Sequence, residues 1–113
     1  MPEPTIMRAL MEVIRERRSR AGSEKSYVAS LMSGGVARIG AKIVEEAAEV
    51  VEAGDEPDEA GRTHLVKEVA DLVFHAMVLL SYRDADWTDV EAELERRFGT
   101  SGLVEKESRG RSS

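Results

Sequence analysis

Between Ile43 and Gly61 the chain carries no lysine or arginine, while Glu45, Glu46, Glu49, Glu52, Asp55, Glu56, Asp58 and Glu59 are all acidic. On a helix each residue turns by about 100°. With Lys42 set at zero, Glu49 then falls at about −20°, Glu46 at about 40°, Glu45 at about −60° and Glu52 at about −80°. The carboxylates share one face. Opposite them lie Ile43, Val44, Ala47, Val50 and Val51, an apolar stripe of the kind that enters a core. One reading is a solvated acidic face on an ordinary amphipathic helix. The other is a face that collects carboxylates for chemistry.

A second segment bears on that choice. From Leu65 to Leu80 the only formal charges are Lys67, Glu68 and Asp71 in an otherwise apolar run, which predicts a buried helix. Glu68 and Asp71 are three apart, with His64 four before Glu68 and His75 four after Asp71, so a polar stripe runs down one side. Buried ionised carboxylates must pair with cations, bind a metal or take up protons. If the acidic face packs on this stripe, four or five carboxylates meet with only Lys42 and Lys67 nearby, and a divalent cation is the simplest way to neutralise them. All-oxygen ligands select Mg²⁺, or Mn²⁺, over Zn²⁺. Such an ion, kept partly hydrated, suits hydrolysis of a phosphoanhydride. No Gly-rich phosphate loop ending in Lys-Ser/Thr is present, and Gly34-Gly35 lacks its spacing. His75, on an apolar helix, reads first as a hydrogen-bonded core histidine and second as a ligand.

The elements that must position these groups all have helical period. A first helix is expected from the N-cap Thr5 to Arg20, stopped by Gly22, with a basic C-terminal end. Ser23 to Gly35 reads as a loop containing a short helix, broken at Gly34-Gly35. The second long helix is expected from Val36 to Ala53, and the third from Arg62 or Thr63 to Tyr82. A fourth, capped by Thr88, would close on Arg96 and Arg97 before Gly99. The fold class is therefore all-α, a bundle of four to five helices in a single domain over residues 1–98. Residues 99–113, rich in Gly, Ser and charge, are expected to form a mobile tail.

Composition removes other classes. The 113 residues allow one domain, and 2 Phe, 2 Tyr and 1 Trp make a thin core, so assembly with a second copy into a homodimer is expected. The absence of cysteine excludes disulfides and thiolate metal sites and fits a cytoplasmic protein. The opening Met1-Pro2-Glu3-Pro4 does not resemble a secretory signal, and the apolar run Leu72–Leu80 is too short to span a bilayer. A net charge of −6 disfavours nucleic acid as a partner.

Glu45-Glu46-x-x-Glu49, followed after a loop by Glu68-x-x-Asp71, resembles the signature of the all-α nucleoside triphosphate pyrophosphohydrolases, the MazG-like superfamily. Within it the chain is most similar to the phosphoribosyl-ATP pyrophosphatase family, over Ile6 to Arg97. The likeness takes in Ser26-Tyr27 with Leu31, Ile39-x-x-Lys42, the stretch from Glu68 through His75 to Leu80, and Glu93-Leu94-Glu95-Arg96-Arg97. The resemblance implies Mg²⁺-dependent cleavage of the α–β phosphoanhydride of phosphoribosyl-ATP to phosphoribosyl-AMP and pyrophosphate, the second step of histidine biosynthesis. It implies metal binding by Glu46, Glu49, Glu68 and Asp71, with Glu45 as a further ligand or the base that orients water. Lys42 would meet phosphate, and Arg38, Ser26 and Tyr27 the nucleotide or its added ribose phosphate. Val44 stands where the family often has Gly, Phe74 where it often has Tyr, and Glu24-Lys25 replaces a Gly-containing approach to the Ser-Tyr pair. Two rivals remain: a house-cleaning pyrophosphohydrolase sharing the acids without needing Ser26-Tyr27, and a non-catalytic acidic helix docking a basic partner.

Overall fold

A computed structural model describes residues 5–20 and 26–99. Among them there are four α-helices and no strand: α1 (Ile6–Ser19), α2 (Tyr27–Gly54), α3 (Asp58–Tyr82) and α4 (Trp87–Phe98). The all-α expectation holds. The stop at Gly22, the approach Glu24-Lys25 and the expected tail after Gly99 lie outside the described residues.

The helix starts follow their caps. Thr5 accepts a hydrogen bond from the Arg8 amide as expected, and Arg17 and Arg18 occupy the last turn of α1, where cations oppose the helix dipole. The expected loop from Ser23 is corrected from Ser26 onward. Ser26 Oγ accepts from the Ala29 amide at 3.0 Å, and a helix begins at once at Tyr27. The Gly34-Gly35 signal marks a sharp bend inside α2 instead of a helix start: Gly35 has φ 68° and ψ −160°, a backbone state that side chains disfavour. α3 starts at Asp58, four residues earlier than expected. Gly61, read from sequence as a turn residue, sits buried in the first turn of α3, where the Glu56 carbonyl packs so close that a Cβ would collide with it. α4 is capped by Asp86, not Thr88, through a reciprocal capping box with Asp89.

The core gathers where α1, the first arm of α2 and the C-terminal half of α3 meet. Met11, Ile14, Leu31, Ile39, Met77 and Val78 are fully buried, each contributing roughly 1.5–3 kcal/mol of hydrophobic stabilisation. Two ion-paired arginines tie α1 to the α3–α4 turn: Arg15 meets Asp86 at 3.1 Å, and Arg18 donates to the Ser81 carbonyl and to Asp84. Among the described residues no helix is long and apolar enough to cross a membrane.

Beyond Gly35, α2 runs antiparallel to α3, and these two helices make the most extensive packing in the chain. Their facing sides correct the sequence reading. The stripe taken for a core face is split: Ile43 packs against the core and Ala47 and Val50 are half-buried, but Val44 is 71% and Val51 74% exposed. α3 is likewise not buried all round, since Val66 is 64% exposed and Val69 40%. Of the acidic face, Glu46 and Glu49 turn inward while Glu45 and Glu52 stay exposed. A helix with two distinct faces can bury either one, and a single chain carries no sign of which until the partner helix is in place.

Candidate active site

The inward face of α2 presents Lys42, Glu46 and Glu49 at helical spacing, and the facing side of α3 presents Glu68 and Asp71 one turn apart. Glu46, Glu68 and Asp71 each bring a carboxylate oxygen within 4.8 Å of the others. The group grades from Glu46, only 6% exposed, through half-buried Glu68 to exposed Asp71, so it opens to solvent at one end. Glu46 Oε2 and Glu68 Oε2 are buried without a hydrogen-bond partner among the described residues, a condition shared only by Ser81 Oγ, away from the acids. Unpartnered oxygens of this kind are costly.

Glu68 shows the strain. Its pKa is pushed up to about 7, first by hydrogen bonding with Glu49, then by burial and by the neighbouring Glu46. Crowded carboxylates resist ionising together, which favours the protonated form of Glu68. Glu49 acts on Glu68 but is not among the three acids whose oxygens converge. His64 closes the group's other side, with Nε2 3.1 Å from Glu68 Oε1 and Nδ1 3.0 Å from Glu56 across the α2–α3 turn. Its pKa is raised, chiefly by the Glu56 hydrogen bond.

Lys42 is the single ammonium at the opposite rim. It lies 3.3 Å from Glu45 and 3.7 Å from Glu46, and its pKa is raised above the usual lysine value, mainly by the hydrogen bond to Glu45. Glu45 is exposed and faces Lys42 rather than the three converging acids. Arg38, one turn before Lys42, is exposed, its aliphatic stem lying over Gly34.

Tyr27 and Lys42 are 15 residues apart, about 22 Å along an unbroken helix. The bend at Gly35 shortens that separation: the Tyr27 hydroxyl meets His75 Nε2 at 2.7 Å, Ile43 and Ala76 line one cavity, and Tyr27 is among the groups acting on the Lys42 charge. Ser26 is half-buried and occupied as the cap of α2. Sequence reasoning found the acids, Lys42 and Tyr27 singly. It missed Glu56 as a partner of His64 and the Tyr27–His75 pair, because both contacts depend on how the chain turns.

The acids fit a hard cation: the donor set is all oxygen, the oxygens converge, and two of them are orphaned and buried. The family model for phosphoribosyl-ATP pyrophosphohydrolase matches residues 7–98. The chain belongs to the phosphoribosyl-ATP pyrophosphohydrolase family. Relatives named phosphoribosyl-ATP pyrophosphatase include one from Rhodopirellula baltica, 53% identical over 96% of this chain and 91% of the relative. Another, from Geobacter metallireducens, is 49% identical over 92% of both chains. A third, from Neisseria gonorrhoeae, is 46% identical over 93% of this chain and 94% of the relative. The family match spans every helix that builds the site.

Proposed function

We propose that this chain hydrolyses the α–β phosphoanhydride of phosphoribosyl-ATP, releasing phosphoribosyl-AMP and pyrophosphate, as an Mg²⁺-dependent enzyme of histidine biosynthesis. The observation that carries this reading is the convergence of Glu46, Glu68 and Asp71, with Glu49 close enough to raise the Glu68 pKa, in a family of that activity. These four would hold the ion, with Mn²⁺ as a substitute. When bound, it neutralises charge on phosphate oxygens and polarises the scissile anhydride. Lys42, at the rim, offers an ammonium to a phosphate oxygen once substrate displaces Glu45 from it. Glu45, outside the three converging acids, can then orient the attacking water. Arg38 extends the cationic rim by one turn toward the nucleotide, while Ser26, engaged as a helix cap, holds Tyr27 in place. A small nucleotide partner and a cytoplasmic setting fit the acidic, cysteine-free chain.

The direct test measures pyrophosphate release from phosphoribosyl-ATP and from common nucleoside triphosphates, each with Mg²⁺ and with EDTA. Metal-dependent release confined to phosphoribosyl-ATP is expected. Equal activity across the panel would point to a house-cleaning hydrolase, and none on any substrate would refute an enzymatic role.

The reading includes a homodimer. Val44, Val51, Val66 and Val69 leave apolar surface exposed on α2 and α3, and covering part of it with a second copy removes that surface from water. Val44→Asp is then expected to convert a dimer to a monomer in light scattering. In a monomer the same exposed substitution would shift stability by less than about 0.5 kcal/mol and leave particle size unchanged.

A further inference from the structure

His75 is buried, and both its ring nitrogens are engaged. Nδ1 lies 2.8 Å from the Asp71 carbonyl oxygen, which can only accept, so Nδ1 carries the hydrogen. The uncharged ring then has only a lone pair at Nε2. The Tyr27 hydroxyl, 2.7 Å away, must be the donor. A phenol has one proton, and here it is spent on the imidazole, leaving oxygen lone pairs to face outward.

The tyrosine ring is held as well as oriented. It stacks on Phe74, with centroids 6.2 Å apart and planes 18° apart, and His75 stands edge-on to both rings. Ser26 caps the helix immediately before it. Despite these contacts Tyr27 remains 47% exposed and close enough to act on the Lys42 charge, and its partner His75 stands one turn of α3 from Asp71.

We propose that His75 is a positioning residue for Tyr27: by accepting the phenol's hydrogen bond it presents Tyr27 to the substrate as an acceptor for a sugar hydroxyl. A phosphate oxygen can only accept and gains nothing from such a phenol. Ribose hydroxyls are the donors adjoining the phosphates that Lys42 would meet, whereas the base lies further along the nucleotide. This role rests on the preceding reading that a phosphoribosyl nucleotide binds beside the carboxylates.

The test combines steady-state kinetics on phosphoribosyl-ATP at saturating Mg²⁺ with long-range ¹⁵N NMR of His75 in the metal-free protein. Tyr27→Phe is expected to raise KM about tenfold while kcat stays within about twofold, the signature of lost binding that is uniform in ground and transition states. His75→Leu should do the same, and the double variant should be no worse than Tyr27→Phe, because both changes remove one linked contact. His75→Gln, which keeps an acceptor, should recover most of the loss. In NMR, Nδ1 should be protonated and Nε2 bare, and Tyr27→Phe should move the Nε2 resonance. An unchanged KM in Tyr27→Phe, losses that multiply in the double variant, or a protonated Nε2 in the uncharged ring would overturn the proposal. If His75→Leu does not fold, Tyr27→Phe and the resonance still decide it. A protein with the expected tautomer that cleaves no phosphoribosyl-ATP would refute the functional reading, and the sugar contact with it, while leaving the Tyr27–His75 hydrogen bond standing.

Discussion

Glu68 and Glu93 are the same residue type on two helices of one small protein, and their acidities are driven in opposite directions. Glu93, on α4, is met by Arg96 at 2.5 Å and Arg97 at 2.7 Å, and its pKa falls to about 2, mainly through the Arg96 hydrogen bond. Glu68, between α2 and α3, is met by Glu49 and Glu46, and its pKa climbs to about 7. On α4 and at the α1 junction acids and bases are matched within the chain. At the α2–α3 face Glu46, Glu49, Glu68 and Asp71 outnumber the bases that reach them, Lys42 and His64. That excess of acid is what the proposed cation would offset.

The contrast can be broken most severely at Asp71. Asp71→Asn keeps the shape and removes one anionic oxygen donor, and about 4 kcal/mol of lost transition-state stabilisation corresponds to a roughly thousandfold drop in turnover. A circular dichroism melt should show the variant folded. Near-normal pyrophosphate release from it would remove Asp71 from the site.

Glu68→Gln sharpens the comparison through pH. In the metal-free protein Glu68 binds its proton more tightly folded than unfolded, so its contribution is fully present below the ordinary glutamate value of 4.5. It is lost as pH rises to about 7. Stability measured with EDTA should therefore decline across that window in the parent protein, and Glu68→Gln should flatten the decline. Mg²⁺ added at pH 8 should raise the parent's melting temperature more than the variant's. Equal pH profiles for the two proteins would place the strain elsewhere.

The matched region responds in another way. Arg18→Ala removes the links to Ser81 and Asp84 and should lower stability by about 1 kcal/mol, with or without Mg²⁺. Hydrolysis per folded molecule should not change. A loss of turnover with unchanged stability would show that the α1 junction serves the site.

How much was legible from sequence differs by element. α1 followed from Thr5 and its basic end, since an N-cap and a helix dipole are local interactions. The Glu46–Glu49 and Glu68–Asp71 spacings also read correctly, because helical period is local. The start of α3 did not, because Gly61 is required there by the approach of the Glu56 carbonyl and not by a turn. The cap of α4 was displaced by two residues because Asp86 and Thr88 are both competent caps, and only Asp86 closes the box with Asp89. Val44 and Val51 were placed inside because an isolated amphipathic pattern names two faces without naming their neighbours.

By itself the sequence determined that this protein is helical, that its carboxylates fall on common helix faces, and which family it resembles. These properties depend on residues within a few positions of one another. Tertiary structure decided that Glu46 and Glu49 of α2 turn inward, and that His64 spans Glu56 and Glu68. It also decided that the bend at Gly35 brings Tyr27 back to His75. Each of those outcomes depends on distant segments meeting. Packing energy, summed over the whole chain, selects among arrangements that local spacing leaves equal.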